Sequence, residues 1–342
     1  MDSRVIAAIA AGNGLVTGRE LRARGIEQRQ LARWVRGGHL VAVRRGVYTT
    51  RELWESWDEY VARPTARIRA AHVTMDVPHV FSHDSSAILQ KVPLLRPQDS
   101  AVHVTRKRVN GSRLRYGVHH HGAPYQPEQA LQVDGLPMLD VPRTAVDIAR
   151  EHGYRAGLVA ADGAMQLGFA RTDLEAAAAP MKSWPGITTV RAVVRDADPG
   201  AESAAETLGR ELVKELGIGE VETQFPVPTP SGVVWCDLRV GCHMFEVDGR
   251  KKSRPVADGG LADRDLEQLL WDERRRQREV CAQGLGMSRI YWEDYWGAAR
   301  ARANHRLLAE NAVTVHRFGS TLPPHLERFA NQMRGRRYRT TG

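Results

Sequence analysis

Cysteine is scarce in this chain, with three residues, Cys236, Cys242 and Cys281, among 342. An odd number without Cys-x-x-Cys spacing argues against a disulfide framework and against a cysteine-based zinc knuckle. The N-terminus lacks the pattern of a signal peptide, and no apolar run approaches the ~20 residues that a membrane-spanning helix needs. These absences predict a cytoplasmic protein.

Positive charge is abundant, and it is unevenly distributed. The formal net charge is +9 and the pI is about 9.8. Residues 1–51 contain ten arginines and no lysine against three acidic residues, which gives this segment a net charge of +7. Such a chain is attracted to polyanions, of which nucleic acid is the usual partner, although charge alone does not separate DNA from RNA. The length predicts two or three domains.

The first fifty residues have the pattern of three helices followed by a hairpin. Residues 3–11 form a short apolar helix, the capping box Thr17-Gly-Arg-Glu20 begins a second helix that ends at Gly25, and residues 27–36 form a third. Two short apolar runs follow, at residues 40–43 and 46–49. This order predicts a winged helix-turn-helix, which places its third helix in the major groove of DNA and its wing on phosphates.

Arginines lie where such a domain contacts DNA. Arg29, Arg33 and Arg36 share one face of the third helix, opposite its apolar face, and Arg44 and Arg45 form the tip of the wing. A solvated helix face is the alternative interpretation of the three helical arginines. The wing favours DNA binding.

This segment resembles the N-terminal domain of the AbiEi family, antitoxins of type IV abortive-infection (toxin–antitoxin, phage-defence) systems. The resemblance is carried by Gly14-Leu-Val-Thr17, Gly25, Gly38-His-Leu-Val41 and Arg45-Gly-Val-Tyr48. It implies DNA binding, often at the protein's own promoter, and a cognate toxin or a second copy of the chain as protein partner. The element Ser82-His83-Asp84-Ser85-Ser86-Ala87 resembles a recurrent feature of the middle region of actinobacterial AbiEi-like proteins.

The middle of the chain has weaker patterns. Residues 80–89 predict a strand end that turns into a helix with Ser82 or Asp84 as N-cap. His119 and His121 would point to the same side of a strand, but a metal site needs a third ligand, and none is visible at a sensible spacing. A basic hairpin could contact phosphate or be an ordinary solvated loop. Its basic residues are Arg106, Lys107, Arg108, Arg113 and Arg115.

Two carboxylates in the last third of the chain carry the strongest chemical pattern. Asp237 and Glu246 each lie in a short strand with alternating apolar residues, and Gly241-Cys242 between them could form a two-residue turn. Such a turn places Asp237 opposite Glu246 on a face that also carries Asp248. Like charges that face each other destabilise a sheet, and a cation relieves the repulsion. The pattern therefore predicts a Mg²⁺ or Mn²⁺ site.

The order helix, strands, helix, strand around these carboxylates resembles the PD-(D/E)XK nuclease superfamily, in the branch of very-short-patch-repair endonuclease-like domains. The match covers residues 200–297. The residues that carry it are Glu202-Ser203-x-x-Glu206, Arg210, Gln224, Asp237-Leu238, Phe245-Glu-Val-Asp-Gly-Arg250, Lys252, Trp271-x-Glu273, Arg276, Gly284 and Arg289-Ile-Tyr-Trp292.

The resemblance implies roles for individual residues. Asp237 and Glu246, with Asp248 beside them, would ligate the metal, the Val247 carbonyl could add a ligand, and Glu206 would hold a metal-bound water. Asp248 stands where the superfamily has lysine, so Lys252 would orient the water instead. Arg275 and Arg276 would contact DNA phosphates. The alternatives are that Glu206 only pairs with Arg210, that the carboxylates are surface charges and that the arginines are a solvated face.

The sequence thus predicts a mixed α+β and α/β chain of several domains. These are a winged helix-turn-helix (residues 1–60), an AbiEi-like middle domain (64–186), a restriction-endonuclease-like PD-(D/E)XK domain (197–320) and a basic tail (327–342). The predicted function is binding of double-stranded DNA with Mg²⁺-dependent endodeoxyribonuclease activity. The alternative is a non-catalytic AbiEi-like regulator or antitoxin with a degenerate nuclease fold.

Overall fold

The computed structural model describes residues 2–95, 101–107, 109–248 and 266–333. Arg108, Lys252 and most of the predicted basic tail lie outside the described residues. The chain divides into two compact units, Met1–Ala197 and Asp198–Gly342. The described residues form fourteen α-helices and three sheets, which confirms a mixed α and β chain of several parts. Among these residues, no helix combines the length and the apolar character required to cross a membrane.

The first unit begins with three helices and a three-stranded antiparallel sheet, ordered β1-β3-β2. The predicted capping box is confirmed, because Thr17 and Glu20 bond each other's backbone N–H. Leu21, Leu31 and Leu40 are fully buried and hold the helices on the sheet. The elements are α1 (Ser3–Ala11), β1 (Val16–Thr17), α2 (Gly18–Ala23), α3 (Gln28–Arg36), β2 (Leu40–Arg44) and β3 (Val47–Thr50).

The rest of the first unit contains a six-stranded mixed sheet with helices packed on it, in the strand order β6-β7-β5-β4-β9-β8. The strands β5 and β7 run parallel, with His103 beside His119. The elements are α4 (Arg51–Ser56), α5 (Ala62–His72), β4 (Val80–Phe81), α6 (His83–Gln90), β5 (Val102–Arg106), β6 (Ser112–Arg115), β7 (Val118–Gly122), β8 (Ala130–Val133), β9 (Leu136–Leu139), α7 (Val141–His152), α8 (Tyr154–Gln166), α9 (Arg171–Ala178) and α10 (Ile187–Asp196).

Small residues bring the helices of this region close together. Ala145 and Ala149 of α7 and Ala160 and Ala161 of α8 are almost fully buried. A Cβ added to Gly157 would lie 2.4 Å from the Ala149 Cβ, so no larger residue fits at this crossing without a shift of one helix.

The second unit has a four-stranded sheet with helices before, between and after its strands. The order is β10-β11-β12-β13, with antiparallel pairs up to β12 and a parallel β12–β13 pair. This is the predicted order of helix, strands, helix and strand. The elements are α11 (Ala204–Glu215), β10 (Glu222–Thr229), β11 (Gly232–Val240), β12 (His243–Val247), α12 (Leu266–Cys281), β13 (Gly286–Ile290), α13 (Gly297–Phe318) and α14 (Pro324–Met333).

Helices cover both faces of this sheet. On one face Leu238 and Val247 lie against Gly209 of α11, where an added Cβ would be 3.4 and 2.9 Å from their methyl carbons. On the other face, Cys236 and Met244 belong to a buried cluster with residues of α12 and α14. Cys236 and Leu238 therefore face opposite helix layers, although a regular strand would turn residues two apart to the same face.

A backbone irregularity accompanies that change of face. Gln224 on β10 has a positive φ of 51°. The flanking residues Thr223 and Phe225 pair with Leu238 and Cys236, and Asp237 lies between these two paired positions. The predicted alternation of burial along β11 is confirmed, because Cys236, Leu238 and Val240 are buried whereas Asp237 and Arg239 are half-buried. The irregularity at Gln224 changes only which helix layer the buried residues on the two sides of Asp237 face.

A buried histidine makes the stability of the second unit pH-dependent. Burial lowers the pKa of His243 to about 4, and its ring nitrogens bond the Thr314 and Ser288 hydroxyls at 2.6 and 2.7 Å. The unfolded chain takes up this proton near pH 6.5, so we expect the stability contribution to be complete above pH 6.5 and to fall by about 3 kcal/mol towards pH 4.

Chemical denaturation of the full chain between pH 4 and pH 7 measures this contribution. We expect the unfolding free energy of wild type, relative to that of His243→Gln, to fall by about 3 kcal/mol between pH 7 and pH 4. The exposed His316→Gln serves as control and should run parallel to wild type. Parallel curves for His243→Gln would show that burial of this ring has no such cost.

Candidate functional site

The third helix carries an exposed basic face. Arg29, Arg33 and Arg36 are exposed, whereas Leu31 on the opposite side is buried and Trp34 is half-buried. The buried side packs on the core of the three-helix domain, so the arginine side is free to approach a ligand. The structure brings these three predicted DNA-binding residues together on one surface.

The two arginines of the wing differ in environment. Arg45 is exposed in the turn between β2 and β3. Arg44 is half-buried, and its guanidinium donates to Thr74 Oγ1 at 3.0 Å and to the Tyr116 carbonyl at 2.8 Å. Burial lowers the pKa of Arg44. Arg44 thus anchors the wing to the β6–β7 turn, while Arg45 projects from it.

A second basic element lies beside the wing. All four residues of β6 are exposed, including Arg113 and Arg115, and the Tyr116 side chain that follows is 74% exposed. Arg115 is the main cause that lowers the pKa of Tyr116, and the charge of Arg45 lowers this pKa further. The wing arginine Arg45 is therefore close to this hairpin. We call Arg45, Arg113 and Arg115 the basic ridge. Sequence reasoning found the hairpin but not its proximity to the wing, because the contact joins residues about seventy positions apart.

Asp237 and Glu246 lie on paired neighbouring strands. The predicted two-residue turn at Gly241-Cys242 is confirmed by the pair Val240–His243, and the same register continues to Leu238–Phe245, so that Asp237 and Glu246 are next. Asp237 Oδ2 accepts a hydrogen bond of 2.8 Å from the Val247 backbone N–H. This bond fixes the Asp237 carboxylate at the end of β12.

Glu246 is a buried carboxylate with one strong partner. Its Oε2 accepts a 2.7 Å bond from Arg276 on α12. Its Oε1 is buried and has no nitrogen or oxygen donor among the described residues, and the Cys236 thiol is a further hydrogen-bond partner of this carboxylate. Burial raises the pKa of Glu246, and the Arg276 charge opposes that rise. Burial lowers the pKa of Arg276, but the charges of nearby acids, Glu246 foremost and Asp237 among them, outweigh it.

The arginine supplies part of the positive charge that the sequence argument assigned to a metal ion. Among the described residues, Asp237, Glu246 and Asp248 do not form a group of three ligand atoms within 4.8 Å of one another. Asp248 is half-buried, and its N–H donates to the Ile290 carbonyl at 2.9 Å. An ion held by Asp237 and Glu246 would therefore take its other ligands from water and substrate, as Mg²⁺ commonly does.

Glu206 lies at the start of α11, where it completes a helix cap. Its carboxylate accepts bonds from the Glu202 N–H at 2.8 Å and the Ser203 hydroxyl at 2.9 Å, while the Ser203 Oγ accepts from the Glu206 N–H. Gln224 also donates to Glu206 Oε2, at 3.0 Å. These bonds join Glu206 to the irregular position beside Asp237. Its charge and that of Asp237 also act on Tyr295, whose pKa burial raises.

The arginines of α12 separate into two environments. Arg275 is exposed, and its nearest acidic groups, Asp272 and Glu279, are 4.0 and 3.9 Å away. Arg276 is committed to Glu246. A further pair, Arg289 on β13 with Glu273 at 2.6 Å, lies on the same side of the unit as Glu246, because Arg289 is beside Glu246 in the parallel register.

The buried Glu246 should depend on Arg276 for its stability. We expect Arg276→Met to lower the unfolding free energy by about 2 kcal/mol at pH 7, because it leaves a buried carboxylate without a cation, while the partial exposure of Arg276 limits the effect. Urea denaturation of the full chain measures it. The double variant with Glu246→Gln should recover most of the loss, and the exposed Arg274→Met should change little. A full-size loss in the double variant would contradict the ion-pair explanation.

Comparisons with known proteins address the N-terminal segment. Residues 3–50 match the family described as "Transcriptional regulator, AbiEi antitoxin". The N-terminus therefore carries an AbiEi-type antitoxin or transcriptional regulator domain, which confirms that part of the sequence resemblance.

Two curated relatives from Mycobacterium tuberculosis are similar over a limited region. "Uncharacterized protein MT2308" of strain CDC 1551 / Oshkosh and "Uncharacterized protein Rv2248" of strain ATCC 25618 / H37Rv are each 32% identical over 93 residues. The match covers 27% of this chain and 34% of each relative. The chain thus spans about a third of the length of these relatives.

One solved structure shows a distant likeness. The crystal structure of the RV2827C protein from Mycobacterium tuberculosis aligns with 57% of this chain and 81% of that chain, at 17% identity and a TM-score of 0.36. A likeness at this level carries no argument about fold or function.

Proposed function

We propose that this protein is a DNA-binding transcriptional regulator of the AbiEi antitoxin type, whose N-terminal winged helix binds duplex DNA in the cytoplasm. The observation that carries the proposal is the exposed arginine face of α3, formed by Arg29, Arg33 and Arg36 above a buried apolar side. An α-helix is about 10–12 Å in diameter with its side chains, so α3 fits a major groove about 12 Å wide.

The basic ridge extends this surface. With α3 in the major groove, Arg45 lies on the wing, where winged helices contact the phosphate backbone. Arg113 and Arg115 continue the positive charge beyond the wing, so the protected stretch of DNA should exceed the site of α3 and the wing alone. Arg44 acts as a structural anchor in this arrangement because its Nε and Nη1 donate to groups within the protein.

Footprinting with the full chain tests the proposal. The probe is a duplex that contains the promoter upstream of the protein's own gene, with a shuffled duplex as control, and selection from a random duplex library identifies the preferred sequence. We expect a discrete protected site that survives competitor DNA. Uniform, salt-sensitive protection of both duplexes would contradict a regulatory function.

The second unit favours a second candidate function, a Mg²⁺-dependent endodeoxyribonuclease with a PD-(D/E)XK-like fold. Three observations support it: the order of helix, strands, helix and strand, the adjacent register of Asp237 and Glu246, and the buried Glu246 Oε1 without a nitrogen or oxygen donor. A bound Mg²⁺ or Mn²⁺ would lower the pKa of a water and neutralise charge on the phosphate. Lys252, which the resemblance assigns to this water, lies outside the described residues.

The non-catalytic alternative uses the same residues differently. Arg276 already neutralises Glu246, and Glu206 is engaged in a helix cap, so these groups can serve stability alone. In that case the second unit is a DNA clamp or a docking module for a cognate toxin or a second copy of the chain. Metal-dependent cleavage separates the two candidates.

A further inference from the structure

Three histidines from separate elements meet in the core of the first unit. His83 begins α6, His103 lies on β5 and His121 lies on β7, and each side chain is at most 3% exposed. One ligand nitrogen from each ring lies within 4.8 Å of the others. We propose that His83, His103 and His121 bind one transition-metal ion, Zn²⁺ by their ligand chemistry, inside this unit.

The hydrogen-bond partners of the three rings assign the nitrogen that faces the ion. His83 Nδ1 contacts Ser82 Oγ at 2.9 Å, whereas His83 Nε2 is buried without a hydrogen-bond partner. His121 Nδ1 lies 3.3 Å from Ser112 Oγ, and His121 Nε2 lies 3.0 Å from His103 Nδ1. The inward atoms are therefore His83 Nε2, His103 Nδ1 and His121 Nε2.

The 3.0 Å between His103 Nδ1 and His121 Nε2 suits two ligands of one ion. Two nitrogens about 2.05 Å from a tetrahedral Zn²⁺ are separated by roughly 3.3 Å. The His83 and His121 rings are stacked, with centroids 3.8 Å apart and 21° between their planes. Because the lone pairs lie in the ring planes, coordination of one ion needs these two rings to tilt away from the stack.

A carboxylate lies beside the site, within ion-pair range of His103 but beyond hydrogen-bond length. Asp84 Oδ2 lies 3.8 Å from His103 Nε2, and the Asp84 carboxylate also contacts His152 Nε2 at 3.0 and 3.1 Å. Metal-bound histidines commonly direct their second nitrogen to a carboxylate, which fixes the tautomer and strengthens the ligand. Ser82 and Ser112 have the equivalent position behind His83 and His121.

The backbone of His83 is also unusual. Its φ is +49°, a left-handed conformation that costs free energy in a non-glycine residue and concentrates at functional sites. The sequence predicted Ser82 or Asp84 as the cap of α6. Ser82 has the N-cap position, but its hydroxyl contacts the His83 ring and makes no cap bond. The hydroxyl thus serves the histidine cluster.

Neutral imidazole is the form that binds metals. Burial is the main cause that lowers the pKa of His83 well below its usual value, and the neighbouring rings of His121 and His103 lower this pKa further. Burial is also the main cause that lowers the pKa of His121 to about 2, and the rings of His103 and His119 contribute to this shift.

The donor set separates this site from the carboxylates of the second unit. Imidazole nitrogens suit Zn²⁺, Cu²⁺, Ni²⁺ and iron, whereas carboxylates and water suit Mg²⁺. A second group, His119, His121 and Glu151, shares His121 but lies nearer the surface, with His119 and Glu151 22% and 28% exposed. We assign the ion to the buried group, because that group offers three nitrogen ligands that are shielded from water.

Zinc binding by the full chain tests the proposal. After dialysis against a chelator, Zn²⁺ is titrated in competition with a chromophoric chelator, and Co²⁺ is titrated for its visible spectrum. We expect one Zn²⁺ per chain, a Co²⁺ spectrum of tetrahedral or five-coordinate nitrogen ligation, and a rise in melting temperature with Zn²⁺. The variants are His121→Gln, His103→Gln and His83→Asn, in which asparagine tolerates the left-handed backbone.

Each of these variants should weaken Zn²⁺ binding by at least about 100-fold, as expected when one of three ligands is removed. His120→Gln, adjacent on β7 and outside both histidine groups, should stay within about two-fold of wild type. If a ligand variant fails to fold, the Co²⁺ spectrum of wild type decides whether the ion has nitrogen ligands in a tetrahedral or five-coordinate arrangement. Absence of stoichiometric Zn²⁺ binding by wild type would overturn the proposal. So would loss of binding on His119→Gln and Glu151→Gln but not on His83→Asn, because the ion would then lie in the outer group.

Discussion

Replacement of Arg29, Arg33 and Arg36 by glutamine should reduce the affinity of the full chain for its DNA site by roughly 100-fold at moderate salt. The three side chains are exposed on one face of α3, and their loss removes up to three phosphate or base contacts. If all three neutralise phosphates, the slope of log affinity against log salt should become shallower by about 2.7. Fluorescence anisotropy at several salt concentrations measures both quantities.

A matched control separates this surface from net charge. Lys182, Arg191 and Arg195 are exposed in and near α10 of the same unit, so their replacement by glutamine removes the same charge from another place. We expect a much smaller decrease in affinity for this control. Equal decreases in the two triple variants would mean that binding follows overall charge, and the proposed orientation of α3 in the groove would be wrong.

Local patterns predicted much of the N-terminal domain and of the carboxylate hairpin. The capping box of Thr17 and Glu20 and the turn at Gly241-Cys242 each depend on residues within a few positions of one another. Propensity and hydrogen-bond geometry act over that range, so the sequence specifies them directly. The apolar and basic faces of α3 follow from helical periodicity for the same reason.

The missed features depend on contacts between distant residues. His103 lies beside His119 because β5 and β7 pair in parallel, and no local spacing encodes a parallel pair joined through an intervening strand. The two partners of His121 that the sequence did not show are His103 and His83, which share its buried cluster. A signal was present, because His83 lies between a strand and a helix in an unusually polar segment that the fold buries.

Arg276 was missed in its structural role for a related reason. The sequence placed it among arginines that contact phosphate, whereas the structure pairs it with Glu246, thirty residues earlier. Helix α12 brings the guanidinium over the sheet, and the repulsion that suggested a metal ion is partly relieved by a side chain. Whether Mg²⁺ also binds there depends on the other oxygen of Glu246, which has no nitrogen or oxygen donor among the described residues.

If the second unit is the proposed nuclease, Asp237→Asn and Glu246→Gln should each reduce Mg²⁺-dependent cleavage of duplex DNA by at least about 100-fold. Each removes a negatively charged ligand of the proposed metal ion while it preserves the size of the side chain. Binding through α3 should be unchanged in both, since Asp237 and Glu246 lie in the second compact unit. A supercoiled plasmid and a duplex with the preferred site are the substrates, with Mg²⁺, Mn²⁺ or a chelator, and DNA binding is measured in parallel.

Glu327→Gln is the matched control for cleavage. Glu327 is an exposed carboxylate on α14, so this substitution makes the same chemical change outside the site. It should cleave as wild type does. Equal cleavage in all variants would assign the activity to a contaminant, and no cleavage by wild type would leave the second unit as the non-catalytic module. Retained DNA binding in either case preserves the regulator proposal, because the arginines of α3 act independently of the carboxylates.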